Sequence, residues 1–370
     1  MRRYKTYING EWFEGTSGIV LRSVDPSNNK ELGEIVQNSK EDVEYAIESA
    51  SRSFYKTREW RDLDVQQRSD KLLKIADMIE SEIDEIAKTE SMDNGKPLRE
   101  AQADVDDAVH CFRYYAGLIR TPSGQTYNVN SNFGNMHSYT VKEPVGVCAL
   151  ITPWNFPFLM SVWKIAPALA AGNSIIFKPS SETVLSALKL FEILDKCDLP
   201  KGTANLVIGS GSTVGNLLAE SKKVDMITFT GSTSVGQGIM RAAVGNVKKI
   251  GLELGGKSPN IVFADTDIEK TVEWVMMGIF LNQGEVCCAG SRLIIEKSIK
   301  DKFLKKLVER TDKLTLGAPL DNPDMGPLIS KKHMQDVLGY IEKGKAEGAK
   351  LLCGGYKCTD DDLVNGNFIN

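Results

Sequence analysis

One cysteine of the sequence has surroundings that suit a reactive thiol. Cys287 lies in the segment Asn-Gln-Gly-Glu-Val-Cys-Cys-Ala-Gly-Ser-Arg (282–292), and the small residues after it would let its sulfur face a cleft. A thiolate attacks carbonyl carbons and forms covalent intermediates, whereas an isolated cysteine is more often buried and inert. A protease-like pair of cysteine and histidine is the alternative, but His110, His137 and His333 lie in no recognisable setting. The residue type alone therefore leaves Cys287 as one candidate nucleophile.

Two further polar side chains have surroundings that suit catalysis. Glu253 stands between two leucines in Gly-Leu-Glu-Leu-Gly-Gly-Lys-Ser-Pro (251–259). Partial desolvation there would make it a better general base, while the alternative is a glutamate that points outward from a strand. Asn155 lies in Thr-Pro-Trp-Asn-Phe-Pro (152–157), where two prolines stiffen the loop. An amide held in such a loop can donate to an oxyanion, or it can simply cap a turn.

Two glycine-rich segments are candidates for phosphate binding. Residues 209–215 (Gly-Ser-Gly-Ser-Thr-Val-Gly) and 230–236 (Thr-Gly-Ser-Thr-Ser-Val-Gly) each follow an apolar run and open a helical pattern. Neither has the GxGxxG spacing of the dinucleotide fingerprint. Helix N-termini with free amides nevertheless suit a pyrophosphate. Each segment alone is as consistent with a structural turn.

The elements that position these residues follow from the hydrophobic pattern after residue 144. Four apolar runs, each followed by a turn and a helical stretch, predict buried strands that alternate with helices. This alternation indicates an α/β fold with a doubly wound parallel sheet, in which ligands bind at the carboxyl ends of the strands. The runs are 145–151, 174–177, 204–208 and 226–229.

The rest of the chain divides into three parts. Apolar residues at helical spacing predict a helix around 43–54, a second from about 72 to the breaker Asn-Gly-Lys-Pro (94–97), and a third from Leu98 to about Gly117. A short N-terminal hairpin with an Asn-Gly turn precedes them. The pattern predicts a first α/β unit at 1–120 and 144–255, an extended β arm at 121–143, and a second α/β unit at 256–370.

The composition excludes several classes of protein. The chain has 370 residues with a net charge of −4, which gives no electrostatic footprint for nucleic acid or an anionic membrane. No run of apolar residues is long enough to predict a membrane span. Seven cysteines without a secretory signal favour free thiols in the cytoplasm. No zinc-ligand spacing occurs, so no metal site is predicted.

Taken together, the segments resemble the aldehyde dehydrogenase superfamily over essentially the whole chain. Glu253 and Cys287 are 34 residues apart, similar to the family interval. Five motifs occur in the family's order. They are Pro-Trp-Asn-Phe-Pro (153–157), Phe-Lys-Pro (177–179), Phe-Thr-Gly-Ser (229–232), Leu-Glu-Leu-Gly-Gly-Lys-Ser-Pro (252–259), and Gly-Glu-Val-Cys with Gly-Ser-Arg (284–287 and 290–292).

The resemblance implies that 1–120 and 144–255 form a dinucleotide-binding domain, that 121–143 is an oligomerisation arm, and that 256–370 form the catalytic domain.

The resemblance also implies a mechanism. Cys287 would attack the aldehyde to form a thiohemiacetal, hydride transfer to the dinucleotide would leave a thioester, and water activated by Glu253 would release a carboxylic acid. Asn155 and the backbone amide of Cys287 resemble the family's oxyanion hole. The neighbouring Cys288 matches no functional position.

The resemblance also implies a site for NAD or NADP. Lys178 resembles the residue that holds the adenosine ribose, while Ser181 stands where NAD-specific members usually carry a glutamate; Glu182 comes one step later, so both cofactors remain open. The cofactor-binding residues implied by the resemblance are Thr152, Pro153, Trp154, Lys178, Ser181, Gly231, Ser232, Val235 and Leu254.

For the substrate, the resemblance implies a tunnel lined by Phe156, Met160 and Trp163. Aromatic faces suit an apolar or quaternary-ammonium aldehyde. The residue pattern of this sequence is similar to that of the betaine-aldehyde group, although members of that group often carry tyrosine at the position of Phe156. Small-molecule aldehydes are therefore the expected substrates.

The resemblance has one departure, at the end of the chain. Family members usually continue toward a Glu-Glu-Ile-Phe-Gly-Pro motif and a final strand that pairs with the arm, so we expect a truncated chain. The family's homodimers or homotetramers are then doubtful for it. Two alternatives to the dehydrogenase remain: a relative that passes the thioester to coenzyme A, against which Glu253 argues, and a catalytically deficient dinucleotide-binding fragment.

Overall fold

The computed structural model describes residues 2–370. Met1, which the first predicted domain includes, lies outside the described residues. The strands are β1 (Arg3–Tyr4), β2 (Thr6–Ile8), β3 (Glu11–Phe13), β4 (Val20–Asp25), β5 (Lys30–Val36), β6 (Thr126–Ser131), β7 (Gly134–Tyr139), β8 (Val147–Ile151), β9 (Ser174–Lys178), β10 (Ala204–Leu206), β11 (Met226–Gly231), β12 (Lys249–Leu254), β13 (Pro259–Val262) and β14 (Arg292–Ile295).

The helices fall between these strands and after them. They are α1 (Lys40–Arg52), α2 (Val65–Ser81), α3 (Ile83–Asn94), α4 (Leu98–Ile119), α5 (Pro157–Ala170), α6 (Leu185–Lys196), α7 (Asn216–Glu220), α8 (Thr233–Ala243), α9 (Ile268–Phe280), α10 (Lys300–Thr311) and α11 (Lys331–Ala346). Short π-helices cover Ser53–Thr57 and Gly211–Gly215, and 3-10 helices cover Leu281–Gly284 and Pro319–Asp321.

The central sheet confirms the predicted doubly wound α/β fold. Its order is β12-β11-β8-β9-β10-β2-β3, and the five strands from β12 to β10 run parallel. From β8 the chain crosses to β9 and β10 on one side, then returns to β11 and β12 on the other. Such a reversal is where open α/β sheets bind ligands.

The strand side chains alternate between two hydrophobic layers. In β8, Cys148 and Leu150 pack with helices α2 to α6, whereas Val147, Ala149 and Ile151 pack with α1, α7 and α8. All five residues are buried, as expected of a strand covered on both faces. The sheet is therefore rigid where it presents the loops that follow its strands.

The N-terminal hairpin is confirmed, and one predicted helix is wrong. Strands β2 and β3 pair across Asn9 and Gly10, both with positive φ. The predicted single helix from 72 to 94 is instead α2 and α3, because Glu82 leaves the helical conformation (φ −112°, ψ 16°). Apolar residues on both sides of this break still pack into the same core, so the periodicity does not reveal it.

Two smaller parts complete the fold. The hairpin of β6 and β7 occupies the predicted arm, and the described side chains of β7 are all exposed. The C-terminal part pairs β13 with β14 in parallel and has its own small core: Val262, Val272, Val275, Met276 and Phe303.

Candidate active site

The carboxyl edge of the parallel sheet brings distant motifs together. Ile151 lies opposite Lys178 in the β8–β9 pair, and Gly231 lies opposite Leu254 in the β11–β12 pair. Because all these strands run parallel, the loops that follow them leave the sheet at the same edge. The predicted cofactor residues of β9, β11 and β12 therefore lie along one side of the molecule. The loop from Thr152, which follows β8, lies on the same side.

Hydrogen bonds join the Asn155 loop to the segment that carries Cys287. The Asn155 side-chain amide donates to the backbone carbonyl of Glu285 at 2.8 Å. In return, the buried Asn282 amide donates to the backbone carbonyl of Asn155 at 2.7 Å. Asn282 adopts φ 48°, in the left-handed region that asparagine tolerates best after glycine. This turn brings the cysteine segment back against the loop after β8.

Cys287 is exposed and lines a cavity of about 640 Å³. Glu253, Met160 and Trp163 line the same cavity, so four predicted site residues meet in one place. Partial burial raises the pKa of the Cys287 thiol, and the adjacent Cys288 adds to the effect. The thiol is thus protonated near neutral pH and needs a base before it can attack.

Glu253 is the penultimate residue of β12 and is exposed, which agrees with the outward-pointing alternative and not with the partly desolvated one. Glu253 lines the cavity beside Cys287 and stays in contact with water. Leu252 lines the same cavity and Leu254 lies against α8, yet the Glu253 side chain remains exposed.

Lys164 also lines this cavity, although we did not single it out from the sequence. Its ammonium donates to Thr228 Oγ1 at 2.6 Å, and the side chain is 9% exposed. Burial lowers the pKa of Lys164 to about 8, against the opposing attraction of Glu253. The sequence contains one feature that could have indicated this residue: Lys164 is the only charged residue of helix α5, and nearly all the other residues of that helix are apolar.

The three predicted tunnel residues do not share one environment. Met160 and the half-exposed Trp163 line the cavity. The Phe156 ring instead lies against the buried ammonium of Lys96, 4.2 Å from the ring centroid. Among the described residues, Phe156 is not part of the cavity lining, and its assignment to a tunnel stays a prediction.

The predicted ribose lysine is buried at the end of β9. The Lys178 ammonium donates to the carbonyl of Pro179 at 3.0 Å, and burial lowers its pKa to about 8. Ser181 follows in the same loop and donates to the carbonyl of Gly209 at 2.9 Å. The loop after β9 therefore lies beside the first glycine-rich segment, which opens a π-helix at Gly211.

The second glycine-rich segment forms the start of α8. Ser232 caps this helix by accepting from the amide of Val235, whose side chain is exposed. A Cβ at Gly236 would stand 2.8 Å from Leu254, so the glycine lets α8 pack closely against β12. The exposed helix start, with its free amides, fits the pyrophosphate of a dinucleotide.

The loop after β8 completes this edge. The amide of Thr152 donates to the carbonyl of Lys178 at 3.1 Å, which extends the β8–β9 pairing by one step. After Pro153, the Trp154 ring packs edge-on against His333, with centroids 5.1 Å apart. Trp154 thus lies between the cofactor edge and the start of α11.

The described part of the chain contains neither a candidate metal site nor a candidate membrane span. Within residues 2–370, no cluster of three or more His, Cys, Asp or Glu side chains has an arrangement that could hold a metal ion. None of the helices in that range is long and apolar enough to cross a membrane.

Comparison with known proteins identifies the family. The sequence profile of the aldehyde dehydrogenase family matches residues 12–370. Betaine aldehyde dehydrogenase of Bacillus subtilis is 46% identical over 363 residues, which are 98% of this chain and 74% of that protein. Human mitochondrial aldehyde dehydrogenase is 41% identical over 96% of this chain and 68% of its own.

Solved structures agree with this result. The crystal structure of Staphylococcus aureus betaine aldehyde dehydrogenase in complex with NAD+ superposes with a TM-score of 0.95 at 42% identity, covering 99% of this chain and 72% of that one. This chain belongs to the aldehyde dehydrogenase family, whose members are oxidoreductases that oxidise aldehydes with NAD or NADP.

Proposed function

We propose that this chain oxidises an aldehyde to a carboxylic acid through a covalent intermediate on Cys287. The observation that carries the proposal is the shared cavity, in which the Cys287 thiol, the Glu253 carboxylate and the Lys164 ammonium meet. A thiol and a base beside one cavity are the minimum for covalent catalysis at a carbonyl carbon.

The first step is the attack of Cys287 on the aldehyde carbon. The raised pKa of Cys287 keeps the thiol protonated at neutral pH, so Glu253, a base in the same cavity, accepts the thiol proton as the sulfur attacks. The new S–C bond turns the aldehyde oxygen into an oxyanion. Asn155 uses one of its two amide protons for the Glu285 carbonyl, which leaves the other for this oxyanion, beside the backbone amide of Cys287.

The dinucleotide is the hydride acceptor. When NAD(P)+ is bound, it takes the hydride from the thiohemiacetal carbon, and a thioester remains on Cys287. We assign its binding to the edge that carries Lys178, Ser181 and the start of α8, together with the loop from Thr152 to Trp154. The buried Lys178 ammonium and the open helix start suit a ribose and a pyrophosphate respectively.

Glu253 performs the final step. After its first proton has passed to solvent, the exposed Glu253 carboxylate removes a proton from water, and the resulting hydroxide attacks the thioester. The C–S bond breaks, the acid is released, and the Cys287 thiolate that leaves takes up the proton from Glu253. The Lys164 ammonium lines the same cavity. A coenzyme A-acylating enzyme would not need Glu253 as a base.

The proposed substrate is an aldehyde with a quaternary ammonium group. Trp163 lines the main cavity and a neighbouring one of about 540 Å³. Asp107, Tyr114 and Tyr115 of α4 line that second cavity too. Aromatic faces with a carboxylate attract a cation, and two of the similar proteins named above are betaine aldehyde dehydrogenases.

An assay with two aldehydes tests the proposed reaction and the proposed substrate. We expect NAD- or NADP-dependent oxidation of betaine aldehyde, a lower kcat/KM for the neutral 3,3-dimethylbutanal, and a free acid as product. An acyl-coenzyme A product would favour the acylating alternative. Dinucleotide binding without turnover of either aldehyde would favour the catalytically deficient fragment.

We also propose the roles of the three parts of the chain. Residues 1–120 and 144–255 form the dinucleotide-binding domain, and 256–370 form the catalytic domain. Among the described residues, β6 and β7 within 121–143 form a two-stranded sheet of their own, with outer strand edges that can accept a further strand. That edge suits pairing with a second copy in a homodimer or homotetramer. Seven free cysteines support a reducing compartment, the cytoplasm.

A further inference from the structure

A buried carboxyl group lies in the Cys287 segment and has no part in the mechanism above. The Glu285 side chain is 2% exposed, and it stands two residues before Cys287. Its Oε1 accepts a hydrogen bond from the backbone amide of Ile329 at 3.0 Å. Its Oε2 is buried and has no hydrogen-bond partner among the described residues.

Glu285 connects three segments of the chain. Its side chain reaches the backbone just before α11, at Ile329. Its backbone carbonyl accepts from the amide of Asn155, at 2.8 Å. Its backbone amide donates to the carbonyl of Asn282, at 2.9 Å. One residue thus joins the loop after β8, the cysteine segment and the approach to α11.

We propose that Glu285 is a positioning residue whose neutral carboxyl group ties the Cys287 segment to Ile329 and so keeps the Cys287 thiol and the Asn155 amide in one arrangement. The inference rests on the proposed function in one respect, the role of Cys287 as nucleophile. The anchoring itself is independent of that role.

The charged groups around Glu285 explain why the neutral form is the one that fits. Burial raises the pKa of Glu285 to about 8, although the Ile329 amide and the Lys96 ammonium oppose the shift. His333 of α11 comes within 3.6 Å of Oε1, but burial lowers its pKa, so it is uncharged where Glu285 ionises. Glu100 of α4 already accepts from the amide of Asn282.

Ionisation therefore disfavours the anchored state. A carboxylate at this site has one backbone donor for two oxygens and no charged partner in contact, and an underpaired buried charge is costly. Raising the pH through about 8 should thus weaken the tie between Glu285 and Ile329. The segment 282–288 should then open more often.

Hydrogen exchange tests the proposal without depending on turnover. We compare the parent chain with Glu285→Gln, Glu285→Ala and the exposed control Glu342→Gln at pH 6.5 to 9.5, and we correct the rates for intrinsic exchange. Peptides covering 281–289 and 326–332 should exchange several-fold faster in the parent above pH 8 than below pH 7. Glu285→Gln, which keeps the shape and cannot ionise, should show no such rise.

The other two variants show whether the effect is specific to the carboxyl group of Glu285. Glu285→Ala should exchange faster at every pH, and Glu342→Gln should follow the parent. In steady-state assays, kcat of the parent should fall relative to Glu285→Gln above pH 8, with KM for the aldehyde little changed. The same pH profile for the parent and Glu285→Gln would overturn the proposal. Altered kcat with parent-like exchange would also overturn it, whereas altered exchange without turnover would contradict only the proposed function.

Discussion

The side-chain amide of Asn155 donates a hydrogen bond of 2.8 Å to the backbone carbonyl of Glu285, two residues before Cys287. This contact joins residues 130 positions apart in the chain. Asn282 returns the bond to the carbonyl of Asn155. The candidate oxyanion donor is thus held by the same segment that presents the nucleophile, so neither can move without the other.

Replacement of Asn155 by alanine should lower kcat by about 10²–10³-fold, because the oxyanion loses a preorganised donor. KM for the aldehyde should change much less, since the ground-state carbonyl gains little from that donor. Steady-state kinetics measure both constants. Asn216→Ala, at the exposed start of α7, is the control for a general loss of stability. A change in KM alone would contradict the oxyanion role.

Replacement of Cys287 by alanine should abolish aldehyde oxidation and leave dinucleotide binding nearly intact, because the thiol is the point of covalent attachment. Cys288→Ala is a matched control, since both thiols are exposed and adjacent. It should be mild. Activity assays and cofactor titration by fluorescence quenching measure the two effects. Equal losses of activity from the two substitutions would overturn the assignment.

Replacement of Lys164 by methionine should raise the stability of the fold and lower the activity. Burial lowers the pKa of Lys164 to about 8, while the unfolded chain stays protonated to about 10.4. The native state therefore binds fewer protons between these values, and stability rises with pH there. Below pH 8 the charged lysine carries its full burial cost, so the variant should gain most in Tm at pH 7.

The same variant should lose about tenfold in kcat, since the cavity that Cys287 lines loses a positive charge that can stabilise negative charge developing there. Thermal unfolding from pH 6.5 to 10.5 and a parallel activity assay measure the two effects. Lys189→Met, in helix α6 and paired with Glu85, is the control. A gain in Tm that does not shrink as pH rises would show that Lys164 titrates normally.

Much of the fold was predictable because the apolar runs of a doubly wound sheet are buried on both faces. Strands β8, β9 and β11 were found where uninterrupted apolar residues stand. The break at Glu82 was not, since helical periodicity continues through it and only the backbone changes direction. The sheet of β1, β4 and β5 was also missed, because β1 has only two residues and polar residues interrupt the apolar ones in β4 and β5.

The sequence predicts which residue types make up the candidate site, but it does not predict the contacts that those residues make with distant parts of the chain. The motifs of Asn155, Glu253 and Cys287 carry their chemistry in the sequence. The buried environment of Glu285 depends on Ile329 and His333, which are more than forty positions away. No local pattern shows such a contact. Exposure of Glu253 likewise follows from the shape of the cavity and not from its leucine neighbours.

Replacement of Ser181 by glutamate should shift cofactor preference toward NAD. Ser181 lies in the loop after Lys178 and donates to Gly209, beside the first glycine-rich segment. If this loop holds the adenosine ribose, a carboxylate there repels the 2′-phosphate of NADP and accepts hydrogen bonds from the ribose hydroxyls of NAD. The ratio of kcat/KM for NAD over NADP should rise by about tenfold or more, as expected for one close like-charge pair.

Glu182→Gln, at the exposed neighbouring position, is the matched control and should leave the ratio nearly unchanged. An unchanged ratio in Ser181→Glu would place the ribose elsewhere, and a larger effect from Glu182→Gln would transfer the role to that residue.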